Sequence, residues 1–205
     1  CRDNQVYDEW IVRDQGAMVR QIGYSPEEFA KIIIEKEGGF DNAKALYDKS
    51  ALKESSYHPL PMESGSAGDR YSNILNKIFT KDYDFKDYDR AANIYWAGNK
   101  IGLGREDIIS FWRSLKNILS EIRFKVEHVG YLDEPNKNPR ASVRWSLEGI
   151  HSGDGEMYGK KTNSNLYFMG INHAELNSYG VIREWVLFDE VAIWKQILMN
   201  KNKNG

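Results

Sequence analysis

The sequence has little cysteine, no long apolar run and no excess of one sign of charge. Its one cysteine, Cys1, excludes a disulfide bond within the chain and favours a reducing compartment, so we expect a cytoplasmic protein. No apolar stretch approaches the roughly 20 residues of a membrane-spanning helix, which predicts that the chain does not enter a membrane. A formal net charge of −2 argues against a nucleic-acid partner, because such partners require clustered basic surfaces.

The motifs that hold metals and cofactors are also missing. The four histidines and one cysteine show no metal-ligand spacing, and Asp154 and Glu156 are too few for a calcium loop. Gly102-Leu-Gly104 lacks the further residues of a phosphate-binding loop, and no Gly-x-Ser-x-Gly nucleophile turn is present. We therefore expect neither a metal nor a cofactor.

The chain does contain enough apolar residues for a core, since 41% of its 205 residues are hydrophobic and 13% are aromatic. From residue 69 onward the patterns predict a helix, a short strand, a second helix over 106–120 and then four more strands. The predicted strands span 92–96, 123–131, 141–151, 166–176 and 181–188. This order predicts an α+β fold, in which a curved antiparallel sheet wraps around helices.

A repeat relates the two ends of the chain. Residues 9–22 align with residues 184–197 without a gap, at a constant offset of 175, and Glu, Trp, Asp, Ala, Gln and Ile coincide. The second copy predicts a strand followed by a helix that Asp189 caps. The first copy then predicts a strand over 5–12 and a helix over 14–22.

The repeat and the composition divide the chain into four parts. We interpret residues 1–23 as the tail of a preceding repeat domain, which would make the parent protein a tandem. Residues 24–68 are a helical linker region, with one helix starting at Ser25 and another over 42–52. Residues 69–198 form the main domain. Residues 199–205 are a polar tail.

The main domain carries a series of short motifs in and between its predicted strands. They are Val143-Arg144-Trp145, Gly149-Ile-His151-Ser-Gly153, Gly159-Lys-Lys-Thr162, Met169-Gly-Ile171, Gly180-Val-Ile-Arg-Glu184 and the closing Asp189…Gln196-Ile. This series resembles that of the SnoaL-like polyketide cyclases, which belong to the nuclear-transport-factor-2-like superfamily. Lys161-Thr162-Asn163 departs from the Pro-Thr-Gly turn of that family.

The resemblance implies a cone, made of a bent sheet with helices over its open side around an apolar pocket. Members of the family use a histidine on the penultimate strand and an aspartate on the last strand to move a proton during ring closure. The histidine corresponds to His173. The aspartate corresponds to Leu187, which departs from the usual acid–base pair.

Strand alternation adds further candidates around His173. It puts Glu175 on the face of His173, and Arg183 and Trp185 on the face of Leu187. If both faces point into the cone, we expect His173 and Glu175 to be catalytic, because a histidine that titrates near neutrality suits proton transfer and a carboxylate would hold its tautomer. The expected ligand-binding residues are Arg183, Trp185, Leu187, Trp145, Trp96 and His151. Each tryptophan could instead be core, and His151 could stabilise a turn.

Two classes of function remain open. One is an enzyme that binds a small apolar or aromatic carbonyl compound in the cone and acts by cofactor-free acid–base catalysis, as a cyclase or isomerase. An epoxide-hydrolase-like variant would use Arg144 or Arg183, but no well-placed aspartate pair accompanies them. The other class is a non-catalytic ligand-binding or assembly module, which a collapsed cone pocket would favour. The expected partners are a small apolar molecule and a second copy or tandem domain.

Overall fold

The computed structural model describes residues 5–6, 9–44, 62–155 and 157–203, in which the chain forms five α-helices and six β-strands. The helices are α1 (Gln15–Gln21), α2 (Pro26–Lys36), α3 (Ala67–Thr80), α4 (Arg105–Asn117) and α5 (Glu190–Lys203). The strands are β1 (Tyr88–Trp96), β2 (Lys100–Leu103), β3 (Leu119–Leu132), β4 (Arg140–His151), β5 (Asn165–Leu176) and β6 (Val181–Phe188). The predicted α+β class is confirmed.

Helix α2 begins where its sequence predicts. The Ser25 hydroxyl accepts a hydrogen bond from the Glu28 N–H (3.2 Å), and the Glu28 carboxylate accepts one from the Ser25 N–H (2.8 Å). This capping box satisfies two backbone donors that the helix itself leaves free. The helix predicted over 42–52 lies mostly outside the described residues, and its described part, residues 42–44, is not helical.

The six strands form one curved sheet in the order β2-β1-β6-β5-β4-β3. Strands β3 to β6 pair as the predicted antiparallel meander, whereas β1 runs parallel to β6. The sheet is therefore mixed, and the expectation of a purely antiparallel sheet is wrong. Alternation along a strand indicates which residues are buried, but it does not indicate which strand lies alongside.

Strand β2 has no counterpart in the sequence prediction. It pairs with β1 from Trp96, which lies opposite Lys100, and the turn between them contains Gly98 (φ 85°) and Asn99 (φ 58°), which both have positive φ. Positive φ favours glycine and asparagine, because most other side chains are strained there. Gly98-Asn99 was thus the local signal for a hairpin that the sequence prediction missed.

One face of the sheet, the inner face, packs against α3 and α4 and carries the core. On α3 the buried stripe consists of Tyr71, Ile74, Leu75 and Ile78. On β4 the inward-facing Trp145 is fully buried between the helices and the sheet. We call the opposite side of the sheet, which carries Arg144 of β4, the outer face.

Helix α5 lies between the core and the first two helices. Ile193 and Ile197 pack into the core, while Val191 on the other side contacts α1 and α2. Two ion pairs strengthen this arrangement: Arg20 of α1 pairs with Glu190 (2.5 Å), and Lys195 pairs with Glu37 at the end of α2 (2.6 Å). Both pairs have one member that is almost fully buried, which ties the N-terminal helices to α5.

The first repeat copy forms its predicted helix, whereas residues 9–12, which the structure describes, do not form the predicted strand. Asp14 caps α1 by accepting a hydrogen bond from the Ala17 N–H (2.8 Å). Asp189, its repeat equivalent, accepts hydrogen bonds from the second and third residues beyond it (2.9 and 3.1 Å). Residues 9–13 form no strand. A helix satisfies its hydrogen bonds internally, whereas a strand needs a neighbouring strand edge, so sequence similarity carries over only the helix.

The division of the chain into 1–23, 24–68, 69–198 and 199–205 stays a prediction. The core helix α3 begins at Ala67, two residues before the predicted start of the main domain. Helix α5 continues to Lys203, so the first part of the predicted polar tail is helical.

We predict that Gly170→Ala destabilises the fold. A Cβ atom at Gly170 of β5 would lie 2.1 Å from the buried indole of Trp145 on the neighbouring strand. Overpacking of this kind costs about 1–3 kcal/mol. Gly130→Ala on β3 is the matched control, because a Cβ there meets no atom within 4 Å. Chemical denaturation gives the free energy of unfolding of both variants. Equal values for Gly170→Ala and Gly130→Ala would contradict the prediction.

Candidate ligand-binding site

A row of side chains crosses the outer face of the sheet. The strand registers place His173 of β5 beside Trp185 of β6, Trp185 beside Tyr95 of β1, and Tyr95 beside Ile101 of β2. The rings of Tyr95 and Trp185 are stacked, with centroids 5.7 Å apart and an angle of 16° between their planes. Four strands therefore combine to present an aromatic and apolar surface on the side of the sheet away from α3 and α4.

Residues 9–14, which we call the strap, pass over this row and enclose a slot of about 510 Å³ between themselves and the sheet. The apolar and aromatic residues lining the slot are Trp10, Ile11, Val12, Tyr95, Trp96, Ile101, Ile171, Trp185, Val186 and Leu187. The polar residues lining it are Asp14, Asn99, Lys100 and His173.

Two contacts hold the strap over the slot. The Asp14 carboxylate accepts hydrogen bonds from the N–H groups of Gly98 (2.8 Å) and Asn99 (3.3 Å) in the β1–β2 turn. The Arg144 guanidinium lies 4.2 Å from the centre of the Trp10 ring. A cation over an indole ring contributes roughly 0.5–2 kcal/mol. The strap is therefore attached at both of its ends.

The predicted site residues divide into two groups. His173, Trp185, Leu187 and Trp96 line the slot together. Glu175 lies outside its lining, and its carboxylate binds Arg183 (2.9 Å) and Asn138 (2.9 Å).

The hydrogen bond of His173 joins its Nε2 atom to the Ser142 hydroxyl (3.4 Å). The partner of His173 is therefore Ser142 and not the Glu175 carboxylate that was expected to hold its tautomer. The catalytic roles of these two residues stay predictions.

The alternation of β5 and β6 is as predicted, but the faces are exchanged. His173 and Trp185 are exposed on the outer face, while their neighbours Asn172 and Glu184 are fully buried on the inner face. The expectation that His173 and Trp185 point into the cone is therefore wrong. The prediction assigned the buried face to the wrong set of alternating residues on both strands. Asparagine and glutamate are usually surface residues, but here hydrogen-bond partners allow Asn172 and Glu184 to be buried.

Glu184 is the centre of a buried hydrogen-bond cluster on the inner face. Its carboxylate accepts hydrogen bonds from the hydroxyls of Tyr71 (2.5 Å) and Tyr88 (2.9 Å) and from the indole N–H of Trp112 (3.1 Å). Asn172 extends the cluster by donating to the Tyr71 hydroxyl (2.8 Å). The cluster joins α3, α4 and three strands of the sheet.

The sequence offered one signal for Glu184 that its interpretation did not use. Val186 and Phe188 follow at alternate positions on β6 and are apolar, so the same alternation assigns Glu184 to the buried face. Burial raises the pKa of Glu184 to about 7, although the hydrogen bonds from the two tyrosines, the tryptophan and Asn172 favour its ionised form. A carboxyl group with such a pKa suits proton transfer, but it is fully shielded from solvent.

The remaining predicted ligand residues are part of the core. Trp145 is fully buried and donates its indole N–H to the Asn172 amide oxygen (2.8 Å). His151 is also buried, and its Nδ1 atom lies 3.0 Å from the Thr162 hydroxyl, which fits the alternative of a turn-stabilising role. Trp112 of α4 is likewise fully buried on the inner side of the sheet. No ligand-binding role of these residues is tested.

The described residues contain neither a cluster of metal ligands nor a membrane-spanning helix. Within these ranges no group of three or more His, Cys, Asp or Glu side chains is arranged to hold a metal ion. In the same ranges no helix combines the length and apolar character needed to cross a membrane.

Solved structures share this arrangement of a curved sheet on helices. A proposed SnoaL-like polyketide cyclase from Jannaschia sp. CCS1 matches 67% of this chain and 97% of its own, with a TM-score of 0.52 and 15% identity. One from Shewanella putrefaciens CN-32 matches 64% and 84%, with a TM-score of 0.51 and 18% identity. The chain has the fold of the SnoaL-like polyketide cyclases.

A third similar structure broadens the range of functions found on this SnoaL-like fold. AclR, a proposed hydroxylase from Streptomyces galilaeus, matches 67% of this chain and 83% of its own, with a TM-score of 0.50 and 12% identity. No protein-family model and no curated protein sequence matches the chain. At such identities the similarity shows the fold and leaves the activity to be argued from the site.

We predict that the buried acid makes the stability of this domain depend on pH. The pKa of Glu184 in the folded state, about 7, lies above its ordinary value of 4.5. The stabilisation of the folded state by protonated Glu184 is therefore fully present below about pH 4.5 and is lost as the pH rises through 7. The difference between the folded-state pKa and the ordinary pKa of Glu184 corresponds to roughly 3 kcal/mol in the free energy of unfolding.

Urea unfolding between pH 5 and pH 8 measures this contribution. Glu184→Gln should remove the decline with pH, whereas Glu106→Gln, at an exposed site on α4, should retain it. Equal pH dependence in the wild-type chain and in Glu184→Gln would show that Glu184 does not take up a proton in this range.

Proposed function

We propose that this chain is a small-molecule-binding module whose apolar or aromatic carbonyl ligand occupies the slot between the strap and the outer face. The observation that carries the proposal is the slot itself, a space of about 510 Å³ with a mainly apolar lining. Small-molecule sites in proteins typically have volumes of roughly 300–1,000 Å³ and are mostly apolar, with a few polar groups that orient the ligand.

The aromatic residues of the slot suit a flat ligand. Trp10 in the strap and Trp185 on the sheet line it from opposite walls, and Tyr95 lies beside Trp185. Rigid aromatic side chains supply a large contact area at a small cost in conformational entropy. A planar ring system would therefore gain more from this site than a flexible aliphatic chain of the same volume.

The polar groups of the slot favour an acceptor atom on the ligand. Asp14 already accepts hydrogen bonds from backbone N–H groups, and Lys100 binds the Glu190 carboxylate (3.2 Å). His173 has the Ser142 hydroxyl at 3.4 Å as its partner and can turn a ring N–H toward a ligand. A carbonyl oxygen of the ligand that faces His173 would accept a hydrogen bond from this N–H. Similar structures named polyketide cyclases agree with such a ligand.

The geometry favours binding over catalysis. A histidine that acts on a carbonyl compound usually relies on a carboxylate to hold its tautomer, and Glu175 is engaged by Arg183 and Asn138 instead. The buried acid Glu184 lies on the inner face and is fully shielded from solvent. An epoxide-hydrolase-like role is also disfavoured, because Arg144 contacts Trp10 and Arg183 binds Glu175.

Filling the slot should weaken ligand binding. We predict that Leu187→Trp, which adds a ring to the floor of the slot, weakens the binding of 2-acetylnaphthalene at least about tenfold, a loss of roughly 1.4 kcal/mol. Leu132→Trp is the matched control, since Leu132 is exposed on β3 and outside the slot. Isothermal titration calorimetry gives both dissociation constants, and unchanged binding by Leu187→Trp would exclude the slot as the site.

The role of His173 needs a second pair of probes. We predict that His173→Gln weakens the binding of 2-acetylnaphthalene about fivefold, as expected for one lost hydrogen bond of roughly 1 kcal/mol, and leaves that of 2-ethylnaphthalene unchanged. Equal losses for both probes would mean that His173 contributes shape rather than a hydrogen bond. Turnover of a carbonyl substrate that His173→Gln abolishes would establish the catalytic alternative.

A further inference from the structure

The two repeat copies place the same apolar positions in opposite environments. In the second copy four of them are buried in the core, with exposed fractions of 0%, 1%, 1% and 2%: Val181, Val186, Ile193 and Ile197. In the first copy their equivalents, at the constant offset of 175, have exposed fractions of 68%, 55%, 60% and 65%: Val6, Ile11, Met18 and Ile22. We call these four exposed residues the open face.

The opposite sides of the two repeat helices are buried against each other. Val19 of α1 and its equivalent Trp194 of α5 belong to one apolar cluster. Gly16 and its equivalent Val191 are buried in the same region. Each helix thus uses the same side to contact the other, as in an isologous interface between two related units. The other side of α5 packs into the core of the cone, whereas Met18 on the other side of α1 and Ile22 directly after α1 are exposed.

The strap and strand β6 face each other in the same way as helices α1 and α5. Trp10 and its equivalent Trp185 both line the slot, one from the strap and the other from the outer face of β6. Glu9, the equivalent of the buried Glu184, is exposed. The core positions Val181, Val186, Ile193 and Ile197 of β6 and α5 therefore have exposed counterparts between residues 6 and 22.

We infer that the open face is a docking surface for a second cone domain of the same fold, in which residues 6–22 take the place that residues 181–197 take here. A segment with exposed apolar side chains lowers its free energy by burying them, at roughly 25 cal/mol per Å² of apolar surface. The sequence of the open face matches that of a segment which closes a cone. The surface complementary to it is the inner face and core of another cone.

The partner must be a cone that offers an empty strand position. In this chain β6 lies between β1 and β5 and fills that position, so a second intact copy of the chain has no room for the strap. A repeat domain whose own last strand and helix are residues 6–22 has that room. The two cones would then contact each other through α1 and α5, with the slot between them. The inference stands independently of any ligand in the slot.

One position sets a requirement on the partner. Phe188 is buried in the present cone, whereas its equivalent Arg13 is exposed. A buried arginine needs a charged or hydrogen-bonding partner. The second cone must therefore have a polar group, or an opening to solvent, where this cone surrounds Phe188 with apolar side chains.

The experiment builds the second cone from the chain's own residues. Residues 62–180 are fused in front of residues 6–205, which keeps the offset of 175 between the two copies. Gly180 is retained at the junction, because a Cβ atom there would lie 2.0 Å from the Asp87 carbonyl oxygen. Met18→Cys supplies a thiol on the open face, and the unfused reference is the full chain with Cys1→Ser and the same Met18→Cys substitution.

The measurement is the rate at which this thiol reacts with 5,5′-dithiobis(2-nitrobenzoate). We expect the thiol at position 18 to react at least tenfold more slowly in the fusion chain than in the reference, because a group in a packed core reacts only when the structure opens. Glu35→Cys on α2 is the matched control, since it is exposed and lies outside the open face. It should react at the same rate in both chains.

A second fusion chain, with Arg13→Phe, keeps the test decisive if the first one fails to fold. Protection of the thiol at position 18 in this second fusion chain alone would support a cone partner that has adapted to Arg13. A thiol that reacts as fast as in the reference in both fusion chains would overturn the inference. Loss of ligand binding in the slot would not affect this result, so the two proposals fail separately.

Discussion

The buried carboxylate of Glu184 is the constraint on which the rest of this domain depends. A charged or neutral acid without partners would be too costly at a fully buried position. The structure meets this cost with hydroxyls from Tyr71 and Tyr88 and an indole N–H from Trp112. Helices α3 and α4 and strand β1 must therefore keep fixed positions relative to β6. The cluster specifies how the helices lie on the sheet in a way that apolar packing alone would not.

The same cluster brings several large side chains together on the inner face. Its donors are large aromatic side chains, and Trp145 adds another through its hydrogen bond to Asn172. These side chains are fully buried between the sheet and helices α3 and α4. The polar chemistry of the inner face therefore serves the fold. The outer face, where the strap covers an aromatic row, carries the mainly apolar slot.

The two repeat copies show how far a short sequence determines its own structure. Asp14 and Asp189 cap their helices in the same way, because capping needs only a side-chain oxygen and nearby N–H groups. The strand of the second copy forms between β1 and β5, whereas residues 9–13 of the first copy form none. Apolar residues that complete a core in one copy are exposed in the other. The difference lies in the neighbours and not in the sequence.

The sequence by itself determined the α+β class, the capped helices, the meander of the last four strands and the presence of a repeat. Each of these follows from interactions among residues close in the chain, or from a period that the chain itself displays. The meander follows because antiparallel neighbours can be joined by short turns.

Only the tertiary structure decided the parallel pairing of β1 with β6 and the face on which His173 and Glu184 lie. Alternation fixes which residues share a face, but the side that becomes the core depends on which polar groups find partners from distant elements. Asn172 and Glu184 are buried because Tyr71, Trp112 and Trp145 meet them there. For the same reason the slot escaped prediction, since it joins the strap to strands more than 70 residues away along the chain.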